Sequence, residues 1–152
     1  MGGGRGGQRA AARGRVVLAL APLLLAACER PSDDFPPPPQ TVQVGMTEYR
    51  FDLRAPGAAG RIVFEARNRG SVDHELVLVG VPENLPPIGE QLRSGERVVV
   101  PTVARMAPHG PGTRGTFAVD LEPGRYAVVC FVKDADGEQH DQKGMSAEFT
   151  IE

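Results

Sequence analysis

Thiol and imidazole side chains are scarce in this chain, with two cysteines and three histidines in 152 residues. Cys28 directly follows the N-terminal leader and has a reading of its own there, which leaves Cys130 without a second thiol to pair with. An unpaired cysteine in an exported chain calls for a reason. One reason is packing, since a free thiol behaves as a small apolar group on the inward face of a strand. The other is chemistry. A thiolate with two imidazoles makes a trigonal set that suits copper, and a thioether held further off tunes the potential of the ion. The chain has candidates for each part. His74 stands in the polar turn Val72-Asp73-His74-Glu75, where a lone histidine also reads as a surface residue. His140 is followed by Met145 in His140-Asp141-Gln142-Lys143-Gly144-Met145, and that methionine also reads as ordinary core. His109, in Pro108-His109-Gly110, has no such context and reads as solvent-exposed. Asp134-Ala135-Asp136-Gly137 resembles the start of a calcium loop but lacks its later ligands, so a hairpin turn is the better reading.

Positioning such a set falls to strands. Glycine (19) and proline (14) exceed a fifth of the chain, a composition of many turns and few long helices. Val42, Val44 and Met46 alternate, and Tyr49, Phe51 and Leu53 alternate after a change of phase that a bulge near Thr47 would produce. Ala55-Pro56-Gly57 opens a turn, Ile62, Phe64 and Ala66 alternate again, and Asn68-Arg69-Gly70 ends that strand. Glu75 to Val81 is apolar on both sides from Leu76 onward. Val98 to Val100 and Thr116 to Leu121 are shorter candidates. Glu122-Pro123-Gly124 turns into Arg125 to Val132, and Ala147 to Ile151 closes the chain. No segment outside the leader shows a helical period. About seven short strands in roughly 110 residues read as an all-β sandwich. Pro82 to Gly115 is rich in Pro and Gly, and either walls one end of the sandwich or is mobile.

Gly124-Arg125-Tyr126-Ala127-Val128-Val129-Cys130 resembles the glycine, tyrosine and cysteine spacing that leads into the copper loop of plastocyanin-like cupredoxins. His140 to Met145 is similar to that family's histidine–methionine segment, with Gly144 before the methionine and a final strand after it. Asn68 to Leu76 resembles the segment that delivers the first histidine. The resemblance implies a cupredoxin-like Greek-key β-sandwich of about seven or eight strands over residues 41–152. It also implies one copper ion, Cu(I)/Cu(II), with His74, Cys130 and His140 as equatorial ligands and Met145 as the axial one. Val128, Phe131 and Val132 would keep the thiolate dry. Two departures stand out. Nine residues separate Cys130 from His140, more than in the family's short loop; a hairpin at Asp134 to Gly137 would return His140 to Cys130, so the geometry allows the site. Glu75 replaces an asparagine that ties the ligand loops together in the family, and a carboxylate there would favour the oxidised ion or add a ligand.

Residues 1–15 are rich in Gly and Arg, and 16–27 form a short apolar run, VVLALAPLLLAA. Such a run rises roughly 18 Å, short of the ~30 Å hydrocarbon core. Residues 1–27 therefore read as a signal peptide. Leu25-Ala26-Ala27-Cys28 resembles the lipobox of bacterial lipoproteins, which implies cleavage before Cys28 and its acylation; the alternative is a plain secretory signal with a coincidental cysteine. Residues 28–40 would then be the acylated Cys28 and a Pro-rich tether, with Pro36 to Pro39 in polyproline II. Lipid on Cys28 anchors a protein to a membrane without spanning it. The expected place is the periplasmic or extracellular face of the envelope.

Arg5, Arg9, Arg13 and Arg15 belong to the leader, so 13 of the 17 basic side chains remain against 19 acidic ones. That net charge, about −6, makes the folded part a poor nucleic-acid binder. Three histidines are too few for the additional copper centres of copper enzymes, and no Ser-His-Asp set stands out. The expected function is a monomeric, membrane-anchored copper protein carrying single electrons between redox partner proteins, not an enzyme. Copper storage or delivery would use the same ligands on Cu(I). A metal-free binding module working through residues 82–115 is the third reading.

Overall fold

The computed structural model describes residues 1–4, 37–95 and 99–152. The expected signal peptide from Arg5 on, the lipidation site Cys28 and the tether through Pro36 lie outside the described residues, as do residues 96–98. No helix among the described residues is long and apolar enough to cross a membrane. All strands belong to the compact unit Pro36–Glu152.

The alternating stretch after Pro39 becomes β1 (Gln40–Thr47), with Val42, Val44 and Met46 turned inward. It folds back on β2 (Arg50–Leu53) through Glu48-Tyr49, with Thr47 opposite Arg50. The change of phase is thus a two-residue hairpin, not a bulge, because reversal of the chain restarts the alternation. Tyr49 takes φ 60° there, a left-handed conformation costly for a residue with a Cβ. β3 (Gly60–Asn68) runs parallel to β1, and β6 (Arg114–Leu121) pairs antiparallel with β3, giving a sheet in the order β2-β1-β3-β6. A second sheet has the order β5-β4-β7-β8, built from β4 (His74–Gly80), β5 (Thr102–His109), β7 (Gly124–Val129) and β8 (Ser146–Ile151). Eight strands in two layers form the expected all-β sandwich.

Between the layers lie Met46, Ile62 and Phe64 from the first sheet and Leu76, Leu78, Val128 and Ile151 from the second, all fully buried or nearly so. Phe64 stacks on Phe117 with ring centroids 5.1 Å apart and tilts against Phe149 at 6.4 Å. A smaller cluster covers the outer face of the second sheet, where Val77, Val79, Ala127 and Val129 pack with Val81 and Ile88. β4 is therefore covered on both sides, which is why its sequence is apolar throughout.

Two elements depart from the sequence reading. A short helix, α1 (Ile88–Arg93), lies in the Pro- and Gly-rich stretch, and its six residues are too few to display a helical period. The Ile88 N–H donates to Glu148 Oε2 at 2.8 Å and fixes it against β8. This part of the stretch thus covers the outer face of the second sheet and does not wall an end. The rest holds β5, whose sequence TVARMAPH buries only Met106, as befits an edge strand that also accommodates Pro108. Val99 and Val100, expected in a strand, are in none, and Val99 is exposed.

β1 and β3 end, and β4 begins, at the same end of the sandwich, where β5 and β7 also end. Removing the ring that links the layers tests the packing. Phe64→Ala should lower stability by about 3–5 kcal/mol, read as a shifted midpoint in urea unfolding.

Candidate metal centre

His74 is the first residue of β4, and the turn before it is held by side chains from elsewhere. Buried Asn68 accepts the Gly70 N–H on Oδ1 at 2.8 Å and donates from Nδ2 to the carbonyls of Val72 and His109, both at 2.7 Å. Glu48 accepts the N–H and the hydroxyl of Ser71, and these bonds pull its carboxyl down to about 2. Gly70 passes so close to the histidine that a Cβ there would meet His74 Nε2 at 2.9 Å and Glu48 Oε1 at 2.6 Å. Only glycine fits.

Cys130 follows the last residue of β7. Its N–H donates to the Met145 carbonyl at 3.2 Å, and its Sγ accepts the Glu75 N–H at 3.4 Å. The Glu75 carboxylate accepts the Phe131 N–H on Oε1 at 3.1 Å and two guanidinium N–H groups of Arg105 on Oε2, at 3.0 and 2.6 Å. Both oxygens are engaged away from the cluster, so Glu75 is a tie between the two ligand segments and not the extra ligand its position suggested. A carboxylate only 3% exposed is costly without such partners. Val128 and Val132 pack in the cluster that contains Cys130, whereas Phe131 faces the cluster on the outer side of the sheet and does not shield the thiol.

The long segment between Cys130 and His140 forms the expected turn. Asp134 N–H donates to the Glu138 carbonyl at 3.0 Å, Gly137 N–H to the Asp134 carbonyl at 2.9 Å, and Lys133 bridges to Gln139. The His140 N–H then reaches the Val132 carbonyl at 2.9 Å. His140 Nε2 lies 2.9 Å from Asp134 Oδ1, and Lys143 and Tyr49 hold Asp134 well below the ordinary carboxylate range. Gly144, at φ 100°, turns the chain so that the Met145 N–H returns to the His140 carbonyl at 2.9 Å.

These three segments bring His74, Cys130 and His140 together. His140 Nδ1 is 3.2 Å from His74 Nδ1 and 3.4 Å from Cys130 Sγ, and the three donor atoms lie within 4.8 Å of one another. All three residues and Met145 have 0% exposure. Met145 shares a packing cluster with Cys130, whose N–H its own carbonyl accepts. Such separations accommodate a cation at metal–nitrogen and metal–sulfur lengths of about 2.0 and 2.3 Å. Lone pairs crowded in an apolar pocket repel unless protons or a cation lie between them, so the donor set fits a soft metal. Burial pushes the Cys130 thiol up, and burial and then His140 push the His74 imidazole down. His109 stays out of the cluster; it is half-buried rather than solvent-exposed, opposite His74 across β4 and β5.

Sequence reasoning named the three converging groups but missed Asn68, Glu48, Tyr49, Arg105 and Asp134 as their supports. Tyr49 and Asp134 bond across a sequence separation of 85, for which no local pattern gives a signal.

No protein-family model and no curated protein sequence matches the chain. Solved structures do. Reduced auracyanin from Roseiflexus castenholzii is similar at 19% identity and a TM-score of 0.55, over 74% of this chain and 97% of its own. Auracyanin A from Chloroflexus aurantiacus, described as a "blue" copper protein, is similar at 17% identity and 0.52, over 76% and 100%. Rusticyanin from Thiobacillus ferrooxidans is similar at 16% and 0.51, over 74% and 78%. The fold is the cupredoxin sandwich.

The raised thiol leads to a prediction for the metal-free protein. At about pH 8 a free cysteine near its ordinary 8.5 is partly thiolate, and Cys130 is less so. Alkylation by iodoacetamide should therefore be at least ~10-fold slower in the native protein than in urea.

Proposed function

We propose that this protein holds one copper ion on His74, Cys130 and His140, with Met145 as a weak axial ligand, and carries single electrons between redox partner proteins. The observation that carries this reading is the fully buried convergence of one thiol and two imidazole Nδ1 atoms within 4.8 Å at one end of a cupredoxin sandwich. Bound copper would supply one-electron chemistry between Cu(I) and Cu(II), for which a thiolate, two imidazoles and a thioether are a suitable donor set.

The chain's own residues do the rest. Asn68 and Glu48 hold the His74 turn, the Glu75 N–H lies on Cys130 Sγ, and Asp134 lies on the outer nitrogen of His140. Anchored ligands limit rearrangement when the charge of the ion changes. A loose Cys130–His140 segment would have favoured storage or delivery, and the bonded turn over 134–138 supports the carrier instead. Among the described residues one buried His-Cys-His set converges, which supports a carrier.

We read Cys28 as the lipid-bearing residue and Pro36 to Pro39 as part of its tether. β1 starts at Gln40, at the end of the sandwich away from the metal ligands, so an anchor there lets the ligand end face away from the bilayer. A partner would then approach from the aqueous side of the envelope.

Two measurements test this. The purified protein loaded with Cu(II) should show an intense visible band that disappears in Cys130→Ala and persists in His109→Ala; a colourless wild type that retains no copper defeats the proposal. In membrane fractionation the wild-type protein should sediment with the envelope, and Cys28→Ser should move it to the soluble fraction.

A further inference from the structure

We infer that Asp134 is a positioning residue for His140, fixing the imidazole with its proton on Nε2 and the Nδ1 lone pair turned toward Cys130 and His74. This deepens the copper reading, but its first test requires no metal.

The chemistry of the contact sets the direction. An ionised carboxylate only accepts hydrogen bonds, so at 2.9 Å from Asp134 Oδ1 the His140 Nε2 is the donor. In the neutral ring Nδ1 is then bare, and it is Nδ1 that lies 3.2 Å from His74 Nδ1 and 3.4 Å from Cys130 Sγ. A histidine whose outer N–H goes to a carboxylate is oriented and made more basic toward a metal.

Asp134 is itself fixed. Its Oδ2 accepts the Tyr49 hydroxyl at 2.5 Å and the Lys143 ammonium at 2.6 Å. Lys143 also reaches Asp136 at 2.7 Å and lies 5.0 Å from the Tyr49 ring centroid. The Tyr49 ring meets His140 edge-on, centroids 5.3 Å apart. Tyr49 is also the residue at φ 60°, the one positive-φ non-glycine among the described residues, and left-handed backbone of this kind gathers at functional sites. The turn that presents Asp134 is built from the residues between Cys130 and His140 that exceed a short loop. Their role is to return His140 with its outer nitrogen capped, and His140 is accordingly fully buried.

Proton–nitrogen correlation spectra of the full-length, metal-free protein with isotope-labelled histidine read the tautomer directly. The expected wild-type His140 has Nε2 protonated and Nδ1 bare. Asp134→Ala should give averaged signals from two tautomers. Asp134→Asn has one amide oxygen for two sets of donors; Lys143 and Tyr49 hold it on the Oδ2 side, so its NH2 faces His140 as a donor and should shift the balance toward the Nδ1–H form. If Asp134→Ala does not fold, Tyr49→Phe, which loosens Asp134 while leaving the ring, should shift the tautomer balance in the same direction. With copper, Asp134→Ala should weaken Cu(II) binding about 10–100-fold. Asp134→Asn should raise the reduction potential, because removing a negative charge disfavours the oxidised ion. A wild-type His140 protonated on Nδ1, or a tautomer and potential unchanged by both Asp134 substitutions, overturns the inference. Failure of the wild type to bind copper would overturn the copper reading and leave the tautomer result to decide this one.

Discussion

The pairing of β4 with β7 is the constraint on which the site end depends. It sets Val77 against Val129 and so brings the corner at His74-Glu75 beside Cys130 and Phe131. Two bonds close the corner: the Glu75 N–H to Cys130 Sγ, and the Phe131 N–H to the Glu75 carboxylate. A slip of one residue would turn every side chain of the strand to the other face and dissolve both. Glu75 is a nearly buried charge, which is costly without partners, and Arg105 on the edge strand β5 supplies them from outside. The edge strand is thereby tied to the centre of the sheet by more than its backbone.

The loops at this end are each held by a side chain from another loop. Glu48, in the β1–β2 turn, holds Ser71, Asn68 spans to His109, and Tyr49 holds Asp134. Asn68 is fully buried, Tyr49 and Asp134 are half-buried and Glu48 is exposed, so these bonds tie the loops together from the core out to the rim. The network therefore does what a close-packed apolar core does elsewhere in the sandwich, and it does so around donor atoms that an apolar lining alone would not orient.

Compared with the auracyanins and rusticyanin, the chain keeps the fold at less than a fifth of identical positions. What is conserved in shape is set by alternation and strand order. The long passage from Cys130 to His140 is tolerated because it leaves and re-enters at fixed points, Cys130 N–H on Met145 and His140 N–H on Val132. Extra residues between such anchors cost little closure entropy.

The strands with one buried face were legible in the amino-acid order, since alternation at Val42 to Met46 and Ile62 to Ala66 reports a period of two. The groups at positions 74, 130 and 140 were legible because sulfur and imidazole are scarce here and stand in a distinctive order. α1 and β5 were not, since one is too short to show a period and the other buries a single residue. The bulge expected at Thr47 proved to be a reversal, a distinction that depends on which strand pairs with which. The supports of the site were invisible for the same reason. Asp134 and Tyr49, and Asn68 and His109, are neighbours only once the two sheets have closed, and Glu75 and Phe131 only once β4 and β7 have paired. Local pattern determines which face of a strand is apolar and which atoms can bind a metal; the orientation of those atoms comes from contacts between segments far apart in the chain, and only the tertiary structure decides them.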